Sequence, residues 1–244
     1  MSFRVLCICA HPDDECFAFG GALSLAVQRG AETYVLCATD GQAATNRGSS
    51  SSGKELGQIR RAEFEASCNV LRTSGHELLD YQDAQLEFEP LSAIAQKLVT
   101  RIRAIRPHII LTFGGDGALN THPDHTSISA ATTAAFHWAG HPRRFPQSGE
   151  LWQPQRLFYL SGSQVLPDRH APLLAPWTLA LDVSSVVEIK MEAFRQHVSQ
   201  APVMASTQEY FKQHGSFEHY TLAASSVPQP ARQSSDLFEG VAEL

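Results

Sequence analysis

The sequence predicts an α/β fold in which a single Rossmann-like domain is built on a mostly parallel sheet with helices on both faces. Apolar strands alternate with amphipathic helical segments along most of the 244 residues, which is typical of parallel sheets. Two of these strands, ending at Cys9 and Phe113, run directly into clusters of polar residues. Open α/β sheets bind ligands at such strand ends. We expect the strand order 3-2-1-4-5, which makes these two strands neighbours.

The first unit of the chain is a strand, a loop, a helix and a second strand. Residues 3–9 form an apolar run, residues 17–30 repeat apolar side chains at helical spacing and end in glycine, and residues 32–38 form the next strand. The loop after the first strand reads HPDDE, where a dinucleotide-binding protein would carry GxGxxG. The unit therefore argues against a dinucleotide ligand.

The middle of the chain repeats this pattern. A Ser-rich loop at residues 43–53, interpreted either as a substrate lid or as a loop without fixed structure, precedes predicted helices at 56–71 and 90–105 and strands at 78–81 and 108–113. A Gly-rich turn then leads to a second polar cluster at residues 122–125. Pro123 suits the first turn of a helix that continues to Ala139.

The last part of the chain predicts strands at residues 156–160 and 178–183, a helix at 184–200 and a short helix at 205–213. From residue 223 the composition turns to Ser, Pro, Gln and Ala. We therefore predict one domain over residues 1–222 and a flexible tail over residues 223–244.

Composition and charge exclude several classes of partner. The formal charge of -6 arises from 25 acidic and 19 basic residues without a long run of either sign, which argues against a nucleic-acid or anionic-lipid surface. No stretch approaches the roughly 20 apolar residues of a membrane span, and the short N-terminal apolar run contains Arg4 and ends at His11, unlike a signal peptide. The five cysteines, an odd number without a CxxC pair, indicate a reduced, cytoplasmic protein. A homo-oligomer is compatible with these features.

The two polar clusters contain the ligands of a catalytic zinc ion. Such a site uses three protein ligands, usually imidazole and carboxylate, and leaves a position for water. His11, Asp14 and His125 supply that set. Each of these residues alone is most often a cap or turn residue. Two His-Pro-Asp clusters, each after an apolar strand, favour a functional site.

AHPDDE at residues 10–15 and HPDH at residues 122–125 resemble the two motifs of the LmbE/PIG-L deacetylase family. The resemblance spans roughly residues 3–220. Two further similarities are a Thr-x-Gly element after the second strand, which begins at Thr39, and an Arg-x-x-Glu on the following helix, formed by Arg60 and Glu63. Two others are an aspartate after the third strand, Asp83, and a Lys-x-x-Ala-x-x-x-His-x-Ser-Gln segment at residues 190–200.

The resemblance implies a zinc-dependent hydrolase that removes an N-acyl group, commonly acetyl, from a small amino sugar or glycoside conjugate. It implies one divalent ion per chain, zinc or another divalent metal, held by His11, Asp14 and His125, with Asp13 as the general base. His122 would stabilise the tetrahedral oxyanion or protonate the leaving amine.

The family pattern also assigns supporting roles. Asp124 would orient a histidine, and Glu15 would support the loop rather than bind the metal. Arg60 and Asp83 match positions that face the sugar.

Two positions depart from the family pattern. Gln42 stands where a glutamate is usual, and Asn120 stands where some members carry a tyrosine. Without that tyrosine, oxyanion stabilisation falls more heavily on the metal and His122. The identity of the acyl group and of its acceptor therefore stays open.

Two alternatives to a deacetylase remain at this point. The first keeps the metal and changes the bond, as in an amidase acting on a thiol or other conjugate, or in a phosphoester hydrolase. Phosphoester hydrolysis often uses two metals and more carboxylates than these clusters provide. The second alternative is a non-catalytic sugar-binding or metal-binding protein, which would not need Asp13.

Overall fold

The chain begins with the strand, helix and strand that the sequence predicts. The computed structural model describes residues 2–162, 176–228 and 232–243. Strand β1 (Arg4–Cys9) pairs in parallel with β2 (Glu32–Thr39). The predicted helix between them is divided into a single turn, α1 (Asp14–Phe17), and α2 (Gly20–Gln28). The turn α1 places Asp14 and Phe17 next to the end of β1.

The middle of the chain adds two more helix and strand pairs. Helix α3 (Gly53–Val70) begins three residues before the predicted start, because the Ser52 side chain accepts a hydrogen bond from the Glu55 N–H and caps the helix. Strand β3 (Gly75–Tyr81), helix α4 (Leu91–Ile105) and strand β4 (Ile109–Phe113) follow. All five residues of β4 are buried, as expected for a central parallel strand.

The last part of the chain completes the sheet. It comprises helix α5 (Pro123–Ala139), strands β5 (Arg156–Leu160) and β6 (Leu179–Asp182), helices α6 (Val187–Arg195) and α7 (Ala201–His214), and strand β7 (Phe217–Ser225). The helix predicted over residues 184–200 is interrupted after Arg195, and α7 begins at Ala201, four residues earlier than predicted. Pro202, in the first turn of α7, cannot continue a preceding helix.

The strand order β3-β2-β1-β4-β5-β7-β6 confirms the order predicted for the first five strands. These five strands are parallel, whereas β7 runs antiparallel to both β5 and β6. The strand order reverses between β1 and β4. Because crossover connections are right-handed, α2 and α3 cover one face of the sheet and α4 and α5 cover the other.

The central strands form the core of the domain. Val5 through Ala10 have no exposed surface, and the facing parts of β2 and β4 are also buried. All five cysteines are buried free thiols, in agreement with the reduced state predicted from their number. No helix in the described ranges has the length and apolar character to cross a membrane.

Several residues of the segment predicted to be a flexible tail contact the rest of the domain. Strand β7 crosses the predicted boundary at residue 222 and ends at Ser225. Further along, Ser234 bridges to Leu179, and the buried Phe238 ring stacks on Phe3 with centroids 4.8 Å apart. The average composition of this segment is dominated by Ser and Pro, so it did not predict contacts made by a few apolar residues. Residues 229–231 and 244 of the predicted tail lie outside the described residues.

Phe238→Ala tests whether the C-terminal residues belong to the folded domain. Because Phe238 is only 6% exposed, its loss leaves an unfilled space, and we expect the free energy of unfolding to fall by about 3 kcal/mol in urea titrations. The matched control is Phe88→Ala, since Phe88 is 73% exposed and its replacement should change this free energy by less than about 0.5 kcal/mol. Equal effects of the two changes would contradict the packing of the C-terminal residues.

Candidate active site

The predicted site residues meet at the carboxyl edge of β1 and β4. His11 to Asp14 follow β1 directly, whereas His122 to His125 reach the same edge after a glycine-rich turn and a short 3-10 helix at Ala118–Asn120. A cavity of about 270 Å³ opens there. All the predicted catalytic, metal and sugar-facing residues line it, namely His11, Asp13, Asp14, Arg60, Asp83, His122 and His125. This is the reversal point where open α/β sheets bind ligands.

Three potential ligand atoms lie at the distances that a small metal ion requires. His11 Nδ1 is 3.3 Å from His125 Nε2 and 3.6 Å from Asp14 Oδ2, and His125 Nε2 is 3.4 Å from Asp14 Oδ1. Ligand atoms about 2.0–2.2 Å from a tetrahedral zinc ion are about 3.3–3.6 Å apart. The donor set of two imidazoles and one carboxylate therefore fits a catalytic zinc ion in both chemistry and spacing.

Hydrogen bonds orient both imidazoles toward this position. His125 Nδ1 lies 3.0 Å from the Gly117 carbonyl oxygen, so this nitrogen carries the proton and the Nε2 lone pair is free. The His125 ring also stacks on Phe113 with centroids 3.8 Å apart. His11 Nε2 faces two carboxylates, which leaves its Nδ1 lone pair toward the other ligands. Such outer partners usually fix the orientation of metal-binding histidines.

The two carboxylates behind His11 belong to Asp83 and Asp124. Asp83 Oδ1 lies 3.1 Å from His11 Nε2, and Asp124 Oδ2 lies 3.3 Å from it. The Asp124 carboxylate also accepts the backbone N–H groups of Ala84 and Leu86. Although burial opposes ionisation, the hydrogen bond with His11 lowers the pKa of Asp83 to about 2. Asp83, which was expected to face the sugar, is thus engaged with His11 at the edge of the cavity.

Asp13 has an unusual backbone conformation. Its φ is 111°, a value that is rare for residues other than glycine. The Glu15 carboxylate accepts the Asp13 N–H at 2.9 Å, and Arg60 Nη2 donates to Asp13 Oδ2 at 3.1 Å. Burial raises the pKa of Asp13 to about 6, although the Arg60 charge opposes this shift. A carboxylate with this pKa can accept a proton near neutral pH.

Arg60 supports the loop that contains Asp13. Its guanidinium donates to the Pro12 carbonyl oxygen and, at 3.1 Å, to the Gly41 carbonyl oxygen. Gly41 has a φ of +66°, and a Cβ atom there would lie 2.1 Å from Arg60 Nη1, so only glycine permits this approach. Arg60 was predicted to contact the sugar. The described contacts of its guanidinium are with the protein, although the residue lines the cavity.

His122 is the N-cap of α5 and lines the cavity beside the ligand set, with its ring centroid 4.7 Å from that of His11. Its Nδ1 accepts the Asp124 N–H at 3.1 Å, so the neutral ring carries its proton on Nε2. Burial and the neighbouring His11 lower the pKa of His122. The neutral ring is therefore a hydrogen-bond donor through Nε2. Asn120, at the position where some family members have a tyrosine, accepts the His122 N–H through Oδ1.

Glu15 is fully buried beneath the loop, as expected for a supporting residue. Its Oε1 accepts the Ser67 hydroxyl at 2.5 Å and lies 2.8 Å from His197 Nε2. His197 belongs to the Lys-x-x-Ala segment, but the sequence predicted no role for it. Because its partner Glu15 is 182 residues away in sequence, spacing alone could not reveal this contact.

Glu15, His197 and Cys16 form a second group whose potential ligand atoms lie within 4.8 Å of one another. All three residues are buried, and Glu15 and His197 are already paired with each other. The Cys16 thiol donates to the Asp13 carbonyl oxygen. The hydrogen bonds within this group make it a support for the Asp13 loop rather than a metal site.

Other cavity residues were not singled out by the sequence. Thr45 and Asn46 come from the loop after β2, which the sequence interpreted as a lid or as a loop without fixed structure. Phe17, Phe194 and Val203 come from α1, α6 and α7 and form an apolar side of the cavity. Their helical spacing resembles that of ordinary core residues, so nothing in the sequence distinguishes them.

Comparison with known proteins identifies one family. Residues 6–136 match the family model of PIG-L, described as GlcNAc-PI de-N-acetylase. A 1D-myo-inositol 2-acetamido-2-deoxy-alpha-D-glucopyranoside deacetylase of Rhodococcus erythropolis is 27% identical over 98% of this chain and 97% of its own length. The diacetylchitobiose deacetylase of Thermococcus kodakarensis is 31% identical over 82% of this chain and 70% of its own length.

Among solved structures, GalB of Pseudomonas putida, a 4-carboxy-2-hydroxymuconate hydratase, has a TM-score of 0.77 at 17% identity. The alignment covers 93% of this chain and 98% of GalB. At this identity the similarity concerns the fold alone. The fold is therefore compatible with more than one reaction, and the argument for function depends on the site residues.

The ligand assignment predicts how metal content responds to substitution. The purified protein should contain about one divalent ion per chain, and His125→Ala should weaken metal binding by more than about 100-fold, because it removes a ligand atom. His137→Ala is the matched control, since His137 is an exposed histidine on the same helix. Metal analysis by mass spectrometry after gel filtration measures both. An unchanged metal content in His125→Ala would contradict the assignment.

Proposed function

Because the chain belongs to the PIG-L family of GlcNAc-PI de-N-acetylases, we propose that it is a zinc-dependent hydrolase that removes an N-acetyl group from a glucosamine conjugate. The observation that carries this proposal is the placement of three metal-ligand atoms, the Asp13 carboxylate and the His122 ring around one cavity. The curated relatives described above act on N-acetylglucosamine derivatives. Their names support an acetylated amino sugar as substrate.

The proposed metal site consists of His11, Asp14 and His125. A zinc ion bound by these residues supplies Lewis-acid polarisation of the substrate carbonyl and lowers the pKa of a water molecule toward about 7. Asp83 and Asp124 would hold His11 in the orientation that directs its Nδ1 lone pair toward the ion.

Asp13 is the proposed proton acceptor. Asp13 lines the cavity, and Arg60 donates a hydrogen bond to one of its carboxylate oxygens. Asp13 does not belong to the group of ligand atoms formed by His11, Asp14 and His125. As water adds to the amide carbonyl carbon, the carboxylate takes the proton that the water loses. The raised pKa of about 6 makes it a stronger base than an exposed aspartate.

His122 is proposed to act on the carbonyl oxygen of the scissile amide. Its Nε2–H can donate a hydrogen bond to this oxygen as negative charge develops there. When the C–N bond breaks, the amine nitrogen takes the proton that Asp13 accepted from the water, and acetate and the free amino sugar are released. None of the described residues that line the cavity is a tyrosine, so the proposal assigns the oxyanion to His122.

The polar residues around the cavity fit a sugar. Thr45 and Asn46, from the loop after β2, and Gln200 offer hydroxyl and amide groups to sugar hydroxyls. The proposed function also implies a binding partner and a cellular location. A small N-acetylated sugar would be the partner, and the five free thiols favour the cytoplasm.

Asp13→Asn tests the proposed base. The substitution preserves size and compatibility with a positive φ, so metal content should be unchanged while acetate release from N-acetylglucosamine glycosides falls by about 10²–10⁴-fold. Asp80→Asn is the matched control, because Asp80 is an aspartate at a φ of 61° that is not among the residues lining the cavity.

The same assay distinguishes the alternatives. Acetate release by Asp13→Asn at the wild-type rate would exclude Asp13 as the base. Turnover only of thiol-conjugate amides by the wild-type protein would favour an amidase, and sugar binding without turnover by the metal-loaded protein would favour a non-catalytic role.

Glu15→Gln tests the support of Asp13. Glu15 now accepts hydrogen bonds from the Asp13 N–H and the Ser67 hydroxyl. The NH2 group of a glutamine would face one of these donors, and Asp13 would lose the contact that fixes its backbone. We expect kcat to fall by about 10–100-fold with little change in KM or metal content. Glu65→Gln, an exposed position on α3, should leave kcat unchanged. A wild-type kcat in Glu15→Gln, in protein with a normal urea midpoint, would show that Asp13 does not depend on Glu15.

A further inference from the structure

A second cavity lies next to the active-site cavity. It has a volume of about 280 Å³ and is lined by the aromatic rings of Tyr210, Phe211 and Phe217 and by polar side chains that include Lys190 and Glu218. Only two of the described lining residues, Phe17 and Ala18, belong to both cavities. The two spaces are therefore neighbours, separated at this point by the Phe17 side chain.

The ring contacts of Phe17 agree with a position between the two cavities. On the active-site side, it packs edge-on against Phe194, with centroids 5.5 Å apart. On the other side, it contacts Phe211 at 4.9 Å and is nearly parallel to Tyr210 at 6.4 Å. Phe17 is itself only partly buried, because its ring borders open space.

Polarity indicates which part of the substrate meets Phe17. The loops after β2 and β3 provide the polar Thr45, Asn46 and Asp83 together with three alanines. Helices α1, α6 and α7 provide the large apolar side chains Phe17, Phe194 and Val203. An amide substrate carries a hydroxyl-rich sugar on its nitrogen and an apolar acyl chain on its carbonyl carbon. Because polar groups lose hydration when they are buried against apolar surface, the acyl chain is the part that matches the Phe17 side.

The position of Phe17 in the chain supports the same orientation. It follows the proposed ligand Asp14 by three residues on the single turn α1, and side chains at this spacing are neighbours on a helix. The apolar wall thus begins next to the place where the scissile carbonyl is held. A longer acyl chain extends further from the carbonyl toward this wall than an acetyl methyl group does.

We propose that Phe17 is the specificity-determining residue for acyl length, closing the active-site cavity to N-acyl chains longer than acetyl and separating it from the second cavity. The proposal rests on the proposed deacetylase function and adds the class of acyl group that the site accepts. Its consequence is that removal of the Phe17 ring joins the two cavities and admits longer chains.

The experiment compares three glucosamine glycosides that carry N-acetyl, N-butanoyl or N-hexanoyl groups. For each, kcat/KM is measured as release of the free amine. The wild-type protein should prefer the acetyl substrate, and Phe17→Ala should raise the ratio of butanoyl to acetyl kcat/KM by at least about tenfold, the discrimination expected for methylene groups in an apolar pocket. Phe17→Leu should raise the same ratio by a smaller factor. If Phe17→Ala does not fold, Phe17→Leu alone tests the role of the ring.

Two further variants show whether the second cavity accounts for the change. Phe217→Ala removes the same kind of side chain from the second cavity alone, at a position that is 51% exposed, so its substrate preference should match the wild type. Tyr210→Trp in the Phe17→Ala background refills the second cavity and should reduce the gain in butanoyl and hexanoyl turnover.

The outcomes separate this proposal from the proposed function. No amine release from any substrate by the metal-loaded wild type would overturn both. Wild-type deacetylation together with an unchanged acyl preference in folded Phe17→Ala and Phe17→Leu would overturn the role of Phe17 alone. A wild-type preference for hexanoyl over acetyl would also overturn it, because the ring would then not limit chain length.

Discussion

The pairing of β1 with β4 is the constraint on which the site depends. Val5, Leu6 and Cys7 pair with Ile109, Ile110 and Leu111, so both strands deliver their following loops to one edge of the sheet. His11 and Asp14 from the first loop then come within 3.6 Å of each other and within 3.4 Å of His125 from the second. No ligand set exists in either loop alone. The strand order, rather than any local motif, assembles the proposed metal site.

A second constraint is the compensation of four carboxylates that three segments of the chain bring close to His11. Asp13, Asp14, Asp83 and Asp124 would repel one another without compensation. Backbone N–H groups and His11 stabilise Asp83 and Asp124, and Arg60 lies beside Asp13. Burial alone would raise the pKa of Asp14, but His125 and His11 lower it well below its usual range. The neighbouring aspartates therefore differ in their affinity for protons, as roles in proton transfer and metal binding require.

The strands and the position of the site are predictable from sequence, because they depend on patterns within short segments. Apolar runs and helical periodicity predict the first five strands, and the pattern of a parallel sheet predicts their order. The partners of Arg60, Asp83 and Glu15 are not predictable in the same way, because they depend on contacts between distant segments. The C-terminal residues show a related limit, since buried Leu237 and Phe238 occur in a segment whose average composition resembles a flexible tail.

The central claim is that His11, Asp14 and His125 hold a catalytic metal while Asp13 stays outside its coordination sphere. X-ray absorption spectroscopy of the zinc-loaded protein tests this most directly. The account predicts a first shell of nitrogen and oxygen atoms at about 2.0–2.2 Å, with two imidazole contributions and no sulfur, and an identical shell in Asp13→Asn. A sulfur atom at about 2.3 Å would place the ion at Cys16, and a changed shell in Asp13→Asn would make Asp13 a ligand. Either result would contradict the account.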